Sequence, residues 1–109
     1  MENVERRTEM YEYLVIDTDG EETHVESKEK PTLGEMQETV KGYIEVVHCL
    51  HEGEERQMII NEEGKLINLD VNEKATRMFK DFLNSNPYFN GGQDYIVGKT
   101  MILKNFELD

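Results

Sequence analysis

The sequence predicts an α+β fold, in which a mainly antiparallel sheet carries two helices packed on one face. Three observations predict it: strand-like segments follow one another in hairpin-joined groups, two segments have helical periodicity, and no internal repeat or linker divides the 109 residues. We therefore expect a single domain over residues 1–109, with the element order β-β-α-β-β-β-α-β.

The chain opens with a predicted hairpin. Residues 9–17 are rich in aromatic and β-branched side chains and precede Asp19-Gly20, which is a typical turn pair. A second, weaker strand is predicted at residues 22–27, and we expect it to lie at an edge of the sheet. A short helix is then predicted to begin around Thr32. Thr32 and Glu35 have the spacing of a capping box.

This first helix is expected to end at Lys41 and Gly42, because a glycine just past the last turn is a common helix stop. Residues 43–50 and 56–61 then predict two strands joined by a loop, and a tight turn at residues 61–64 leads into a third strand at residues 65–69. These three strands are expected to form an antiparallel meander.

The second helix has the strongest periodic pattern in the chain. Its apolar stripe consists of Val71, Ala75, Met78, Phe79, Phe82 and Leu83. Asp70 and Glu73 are its predicted capping pair, and the Asn-Pro pair at residues 86–87 is predicted to end it. A Gly/Asn-rich loop at residues 84–94, either a lid or an ordinary connection, precedes a last strand at about residues 95–104. This strand is apolar on both faces, so it is expected near the sheet centre.

The charge balance limits the partners that the chain can bind. There are 12 basic and 24 acidic residues; residues 1–73 hold 7 and 20 of them (net −13), and residues 74–109 hold 5 and 4 (net +1). Such a charge repels phosphate backbones, so direct nucleic-acid binding is not expected. The acidic residues either form an ordinary solvated surface or imitate a polyanion and occupy a basic site on another protein.

Composition also predicts a cytosolic protein without membrane contact. The apolar runs are far shorter than the ~20 residues of a membrane-spanning helix, and the first eight residues lack the apolar stretch of a signal peptide. Cys49 is the single cysteine and cannot form an internal disulfide, which fits a reducing compartment.

No residue pattern predicts catalysis, a metal or a cofactor. The segment 45–52 contains metal-ligand types, but no second cysteine or HExxH pattern completes a tetrahedral site, and His48 and Cys49 point to opposite faces of their predicted strand. Acidic surroundings also disfavour the thiolate of Cys49. We expect a non-catalytic protein that needs no cofactor.

Six residues form a candidate ligand site for a small anion. They are Tyr43, Arg56, Lys65, Asn72, Lys74 and Arg77. The cations stand out against an acidic background near the start of the second helix, where free N–H groups and the helix dipole can hold a phosphate. Asn72 can orient a base or ribose, and Tyr43, Tyr88 or Phe89 can stack on one. The alternative is that the helical cations pair with Glu73 and Asp81.

Four motifs carry a resemblance to a known family. They are Gly-Tyr-Ile-Glu at residues 42–45, Asn-Glu-Glu-Gly-Lys-Leu at 61–66, Asn72-x-x-Ala75-Thr76, and Ile-Val-Gly at 96–98. Over roughly residues 40–100 the chain resembles a small domain family of unknown function found in bacteriophages, other viruses and mobile elements. The resemblance implies a viral accessory protein in the host cytosol and brings no catalytic residues with it.

Two functional hypotheses follow from the sequence. The first is a non-catalytic counter-defence protein that binds a small nucleotide-type signal between subunits of a homo-oligomer, because small domains gain enclosed pockets by self-association. The alternative is an acidic inhibitor that imitates a polyanion and binds a host nucleic-acid-handling or defence protein.

Overall fold

A computed structural model describes residues 10–85 and 94–109 of the chain. The described residues contain strands β1 (Tyr11–Ile16), β2 (Glu22–Ser27), β3 (Ile44–His51), β4 (Glu54–Asn61) and β5 (Thr100–Leu103), and helices α1 (Leu33–Val40) and α2 (Glu73–Ser85). The predicted α+β class is confirmed, and the elements follow the predicted order apart from one segment, residues 65–69.

All five strands form one sheet, in the order β2-β1-β5-β4-β3, and every neighbouring pair is antiparallel. Strand β5 lies at the centre, where Ile102 is opposite Leu14 of β1 on one side and Met58 of β4 on the other. The expectation of a central last strand is confirmed, and so is the edge position of β2.

The two helices pack on opposite faces of the sheet, so the prediction that they share one face is wrong. Helix α1 contributes Met36 and Val40 to a core with Ile59, Met101 and Leu103. Helix α2 contributes its side chains to a second core on the other face, with Leu14, Ile16, Cys49, Met58, Ala75, Ile96 and Ile102 buried there.

The reason for two cores lies in the central strands. All four residues of β5 are buried, and adjacent residues Met58 and Ile59 of β4 are both fully buried. Since successive side chains of a strand point to opposite faces, both faces are apolar there and each needs a cover. One helix cannot cover both.

Residues 65–69 form turns, not the predicted third strand of a meander. Strand β4 already pairs with β3 on one side and with β5 on the other, so it has no free edge for a further strand. The segment satisfies its backbone locally instead: the N–H of Ile67 donates to Glu63 at 3.1 Å, and that of Leu69 donates to Gly64 at 3.0 Å.

Helix α1 begins with the predicted capping box. The Thr32 hydroxyl accepts from the Glu35 N–H at 3.1 Å, and the Glu35 carboxylate accepts from the Thr32 N–H at 2.9 Å. The helix ends one residue earlier than predicted, because Lys41 and not Gly42 takes the left-handed conformation (φ 69°). Gly42 serves a close approach, since a Cβ there would lie 2.7 Å from Nδ2 of Asn61.

Helix α2 is described as far as Ser85. The predicted helix end at residues 86–87 and most of the candidate lid at 84–94, with Tyr88 and Phe89, lie outside the described residues. Neither α1 nor α2, as described, has the length and apolar character to cross a bilayer. Strand β5 is shorter than predicted, because Val97 pairs with Val71 before the strand begins at Thr100.

Candidate functional site

The predicted anion-site residues do not gather around one hollow. Lys65 lines a hollow with Asp94 and Tyr95, and Arg56 lines another with the residues that follow β5. Tyr43 lines a third, whereas Lys74 and Arg77 share a fourth. Each of these four hollows encloses at most about 290 Å³, at or below the lower end of the usual range for small-molecule pockets, ~300–1,000 Å³.

Most of the cations in this set are already paired with carboxylates. Lys65 pairs with Asp94 and lies over the ring of Tyr95, at 4.5 Å from its centroid. The hydrogen bond from Lys65 lowers the pKa of Asp94 below its usual range, and burial opposes this shift. Lys65 therefore acts in a local ion pair.

Arg56 and Lys74 are also engaged. Arg56 contacts Glu54 at 2.8 Å, and Lys74 contacts Glu22 at 2.7 Å while donating to the Gly20 carbonyl at 2.8 Å. The alternative interpretation pairs Lys74 with Glu73, and this is not what the structure shows. Lys74 pairs with Glu22 of β2 instead. Arg77 is exposed and makes no ion pair within residues 10–85 and 94–109, so its expected pairing with Asp81 is not seen there.

Asn72 lies in the interior, with no exposed surface. Its side-chain oxygen accepts from the N–H of Ala75 at 3.0 Å and so caps α2, the role that the sequence had assigned to Asp70. Its amide nitrogen donates to the carbonyls of Ile16 (3.0 Å) and Gly98 (2.8 Å). We call Asn72 and these three partners the Asn72 junction, which ties α2 to β1 and to the segment before β5.

A second buried asparagine joins two of the sequence motifs. Asn61, at the end of β4, donates to the carbonyls of Val40 (3.0 Å) and Lys41 (3.2 Å), and its side-chain oxygen accepts from the N–H of Glu63 (2.8 Å). This explains why Gly42 is needed beside it. Asn61 therefore holds the end of α1 against the turn that follows β4.

The two remaining motif glycines allow other close approaches. A Cβ on Gly64 would lie 2.7 Å from Cγ2 of Val97, and one on Gly98 would lie 2.7 Å from Cδ1 of Leu69. Gly98 also has a φ of 82°, which favours glycine. The φ of Gly64 is not positive, so at this position the close approach is what requires a glycine. The four motifs thus meet at one end of the sheet.

All four motifs lie within the part of the chain that matches a protein family. Residues 10–107 match the family described as Domain of unknown function (DUF3846). The chain belongs to the DUF3846 family. No curated protein and no solved structure matches the chain.

The same end of this DUF3846 domain carries an exposed apolar group. Leu66 is 81% exposed, Tyr43 66% and Ile67 54%. Tyr43 and Ile67 line one hollow and Leu66 lines the next, with Asn61 common to both. The N–H of Glu62 donates to the Tyr43 carbonyl at 2.8 Å, which fixes the turn against the start of β3.

Charged side chains lie beside this apolar group, and three of them are glutamates. Glu45 and Glu62 line the hollow that contains Leu66, and Glu63 lines the hollow of Tyr43 and Ile67. In the part of the chain that is described, none of the three makes an ion pair. We call Tyr43, Leu66 and Ile67, with Glu45, Glu62 and Glu63 around them, the turn surface. Sequence reasoning missed it because it placed residues 65–69 in a strand.

Residues 45–52 of this DUF3846 domain contain residue types that can bind a metal, but the histidine and cysteine side chains His48 and Cys49 lie in different environments. Cys49 is fully buried, whereas His48 is exposed and contacts Glu55 at 3.0 Å. Burial raises the pKa of the Cys49 thiol to about 12; Arg56 opposes this shift, and Glu55 adds to it. The thiol is therefore protonated at neutral pH and closed to solvent, so it is a packing group and not a nucleophile.

Proposed function

We propose that the chain is a non-catalytic viral accessory protein that inhibits a basic host protein by binding it through the turn surface. The observation that carries the proposal is an exposed apolar centre beside three carboxylates that make no ion pair among the described residues, on a turn held in place by hydrogen bonds. The viral part of the proposal is supported by the resemblance of the sequence motifs to a phage and viral family.

The apolar centre is concentrated, which supports a binding role. Seven large hydrophobic side chains are exposed among the described residues, and four of them line the two adjoining hollows: Tyr43, Ile67, Leu66 and Tyr95. Scattered exposed hydrophobics are ordinary, whereas a cluster with a polar rim is typical of a protein interface. Aromatic and aliphatic side chains at such a centre supply most of the binding free energy.

The rim determines the chemistry of the partner. Glu45, Glu62 and Glu63 make no ion pair with any described residue, although Lys41 and Lys65 line the same hollows. Burying these carboxylates against an apolar or acidic surface would therefore cost free energy. A partner with an apolar patch edged by lysines and arginines satisfies both the centre and the rim. Such patches occur on proteins that bind nucleic acid, so occupation of the patch would block that binding.

The turn is held rigidly, which favours recognition. The side-chain oxygen of Asn61 accepts from the N–H of Glu63 near the start of the turn, and the N–H of Leu69 donates to the Gly64 carbonyl at its end. A preorganised surface loses little conformational entropy on binding, so more of the contact free energy appears as affinity.

The test compares two charge reversals of equal size. Glu62→Lys/Glu63→Lys changes the turn surface, and Glu54→Lys/Glu55→Lys changes the opposite end of β4, which is about 23 Å away at the usual strand rise. Wild type and both variants are immobilised and exposed to bacterial host lysate, and retained proteins are quantified. Each protein lost from the first variant alone is purified and titrated calorimetrically.

We expect a basic protein that binds wild type and the Glu54/Glu55 variant within threefold, but binds the Glu62/Glu63 variant at least tenfold more weakly. Affinity for wild type should fall as salt is raised from 50 to 300 mM, because the rim charges are exposed. The proposal is wrong if both variants retain the same proteins equally, or if the proteins retained through the turn are acidic.

Nucleotide binding within a homo-oligomer stays a prediction. Asn72 is fully buried, and the other residues of this set line four different hollows of one protomer. The pair that shares a hollow, Lys74 and Arg77, includes one lysine already held by Glu22. Native mass spectrometry with cyclic di- and oligonucleotides tests both parts at once, because it reports the subunit number and any retained ligand. No retained ligand at micromolar concentration would contradict it.

A further inference from the structure

Three metal-ligating side chains converge on the β1–β2 hairpin, away from the turn surface. Glu12 of β1 lies directly opposite Glu26 of β2, and His24 lies two residues from Glu26 on the same face. One donor atom from each of the three lies within 4.8 Å of the other two. No other such group of three His, Cys, Asp or Glu side chains occurs within the described residues.

The arrangement is unfavourable without a cation. Like charges directly opposite each other across an antiparallel pair destabilise the pair, and Glu12 and Glu26 are such a pair. His24 lies beside them, with its Nε2 3.7 Å from Oε1 of Glu12. A divalent cation between the two carboxylates removes the repulsion, and the net charge of −12 attracts cations to the surface.

We propose that Glu12, Glu26 and Nε2 of His24 bind a divalent first-row metal ion, with Zn²⁺ as the best fit. Imidazole nitrogen and carboxylate oxygen are both zinc ligands, at roughly 2.0–2.2 Å, which places tetrahedral ligand atoms about 3.4 Å apart. In the structure Nε2 of His24 lies 3.7 Å from Oε1 of Glu12, and the three donor atoms all lie within 4.8 Å of one another. His24 and Glu26 are exposed, so small side-chain rotations close the site, and water completes the coordination.

Lys104 is the competitor for this site. Its ammonium lies 3.5 Å from Nδ1 of His24. When a metal occupies Nε2 of a neutral imidazole, Nδ1 carries the proton and cannot accept from an ammonium. Lys104 must therefore turn away as the metal binds, and its positive charge lowers the affinity. Removing that charge should tighten metal binding.

The chain offers a matched control in His48. Its side chain is 45% exposed, close to the 43% of His24. It contacts one carboxylate, Glu55, whereas His24 has carboxylate oxygens of both Glu12 and Glu26 within 4.8 Å. The experiment is calorimetric titration of chelator-treated full-length protein with Zn²⁺. Wild type is compared with His24→Gln, His48→Gln and Lys104→Gln, and circular dichroism verifies that each variant is folded.

We expect one strong zinc site in wild type, at least tenfold weaker binding in His24→Gln, and less than a threefold change in His48→Gln. Lys104→Gln should bind at least threefold more tightly than wild type. The proposal is overturned if His24→Gln and His48→Gln weaken binding equally, if Lys104→Gln leaves affinity unchanged or lower, or if zinc binds only with the weak, multiple stoichiometry of scattered surface carboxylates. These outcomes are independent of any partner at the turn surface.

Discussion

The Asn72 junction and the turn surface are neighbours in the sequence but opposite in physical character. Asn72 is fully buried, and its side chain makes three hydrogen bonds to the backbone. Leu66 is 81% exposed, and the carboxylates near it make no ion pair among the described residues. Both regions belong to the same set of sequence motifs, so a motif by itself does not separate residues that maintain the fold from residues that bind a partner.

The two kinds of residue are distinguished by whether their polar groups are already hydrogen-bonded inside the protein. A polar side chain whose donors and acceptors are used inside the protein has nothing left for a ligand, whereas an exposed, unpaired one is available. Substitutions in the junction should therefore lower the free energy of unfolding, and substitutions in the turn surface should lower partner affinity while leaving the fold intact.

The largest expected effect is that of Asn72→Ala. The substitution removes the cap of α2 and the amide that donates to the carbonyls of Ile16 and Gly98. Ile16 is also paired with Thr100 in the β1–β5 ladder, so the Gly98 carbonyl is the one that loses its donor. A lost cap costs about 1 kcal/mol and each orphaned buried group about 1–3 kcal/mol. With the cap lost and one carbonyl orphaned, we expect the free energy of unfolding in urea to fall by about 2–4 kcal/mol.

Thr32→Ala is the control, because it also removes an N-cap but at an exposed site. It should cost about 1 kcal/mol. If the two substitutions had equal effects, the interior hydrogen bonds of Asn72 would contribute nothing, and its availability for a ligand would have to be reconsidered.

The sequence predicted the fold where local signals are strong. The capping box at Thr32 and Glu35, the β3–β4 hairpin and the stripe of α2 all rest on spacing within one segment. It did not predict the helix faces or the turns at residues 65–69, because both depend on the insertion of β5 between β1 and β4. That pairing joins distant segments, and local periodicity does not encode it.

The candidate site was predicted less well, for a related reason. Charge and residue type selected Lys65 and Lys74, but their actual partners, Asp94 and Glu22, lie far away in the sequence. The Glu12–Glu26 pair is predictable from the sequence, because a hairpin that turns around residue 19 places these two residues opposite each other. The exposure of Leu66 and Ile67 was not predicted, because residues 65–69 were assigned to a strand of the sheet.

A smaller effect is expected for Gly64→Ala, which sharpens the comparison inside the turn itself. Its Cβ would lie 2.7 Å from Val97 and 3.4 Å from Leu69, so the buried side of the turn is overpacked at a cost of about 1–3 kcal/mol. Gly34→Ala is the matched control: the nearest atom is 3.9 Å away, and the residue is helical. It should stabilise by about 0.5–1 kcal/mol. Opposite signs in thermal unfolding are the expected result.

Cys49, in the core under α2, should make the free energy of unfolding depend on pH. Burial raises its thiol pKa from 9.0 to about 12, so the folded protein keeps the proton to higher pH than the unfolded chain does. The free energy of unfolding is unaffected by this group below about pH 9 and falls above it, by up to about 1.4 kcal/mol per pH unit. Urea titrations at pH 8, 9 and 10 should show a steeper decline for wild type than for Cys49→Ala; parallel curves would contradict the assignment.

The smallest effect on stability is expected for Leu66→Ser, and it tests the comparison from the other side. Leu66 is 81% exposed, so its loss should change the free energy of unfolding by no more than about 0.5 kcal/mol. The same change removes the most exposed apolar side chain of the turn surface, so affinity for the partner should fall at least tenfold. Unfolding in urea and partner titration on the same sample separate the two effects. A large loss of stability would mean that Leu66 packs in solution, and the turn surface would then belong to the fold, like Asn72.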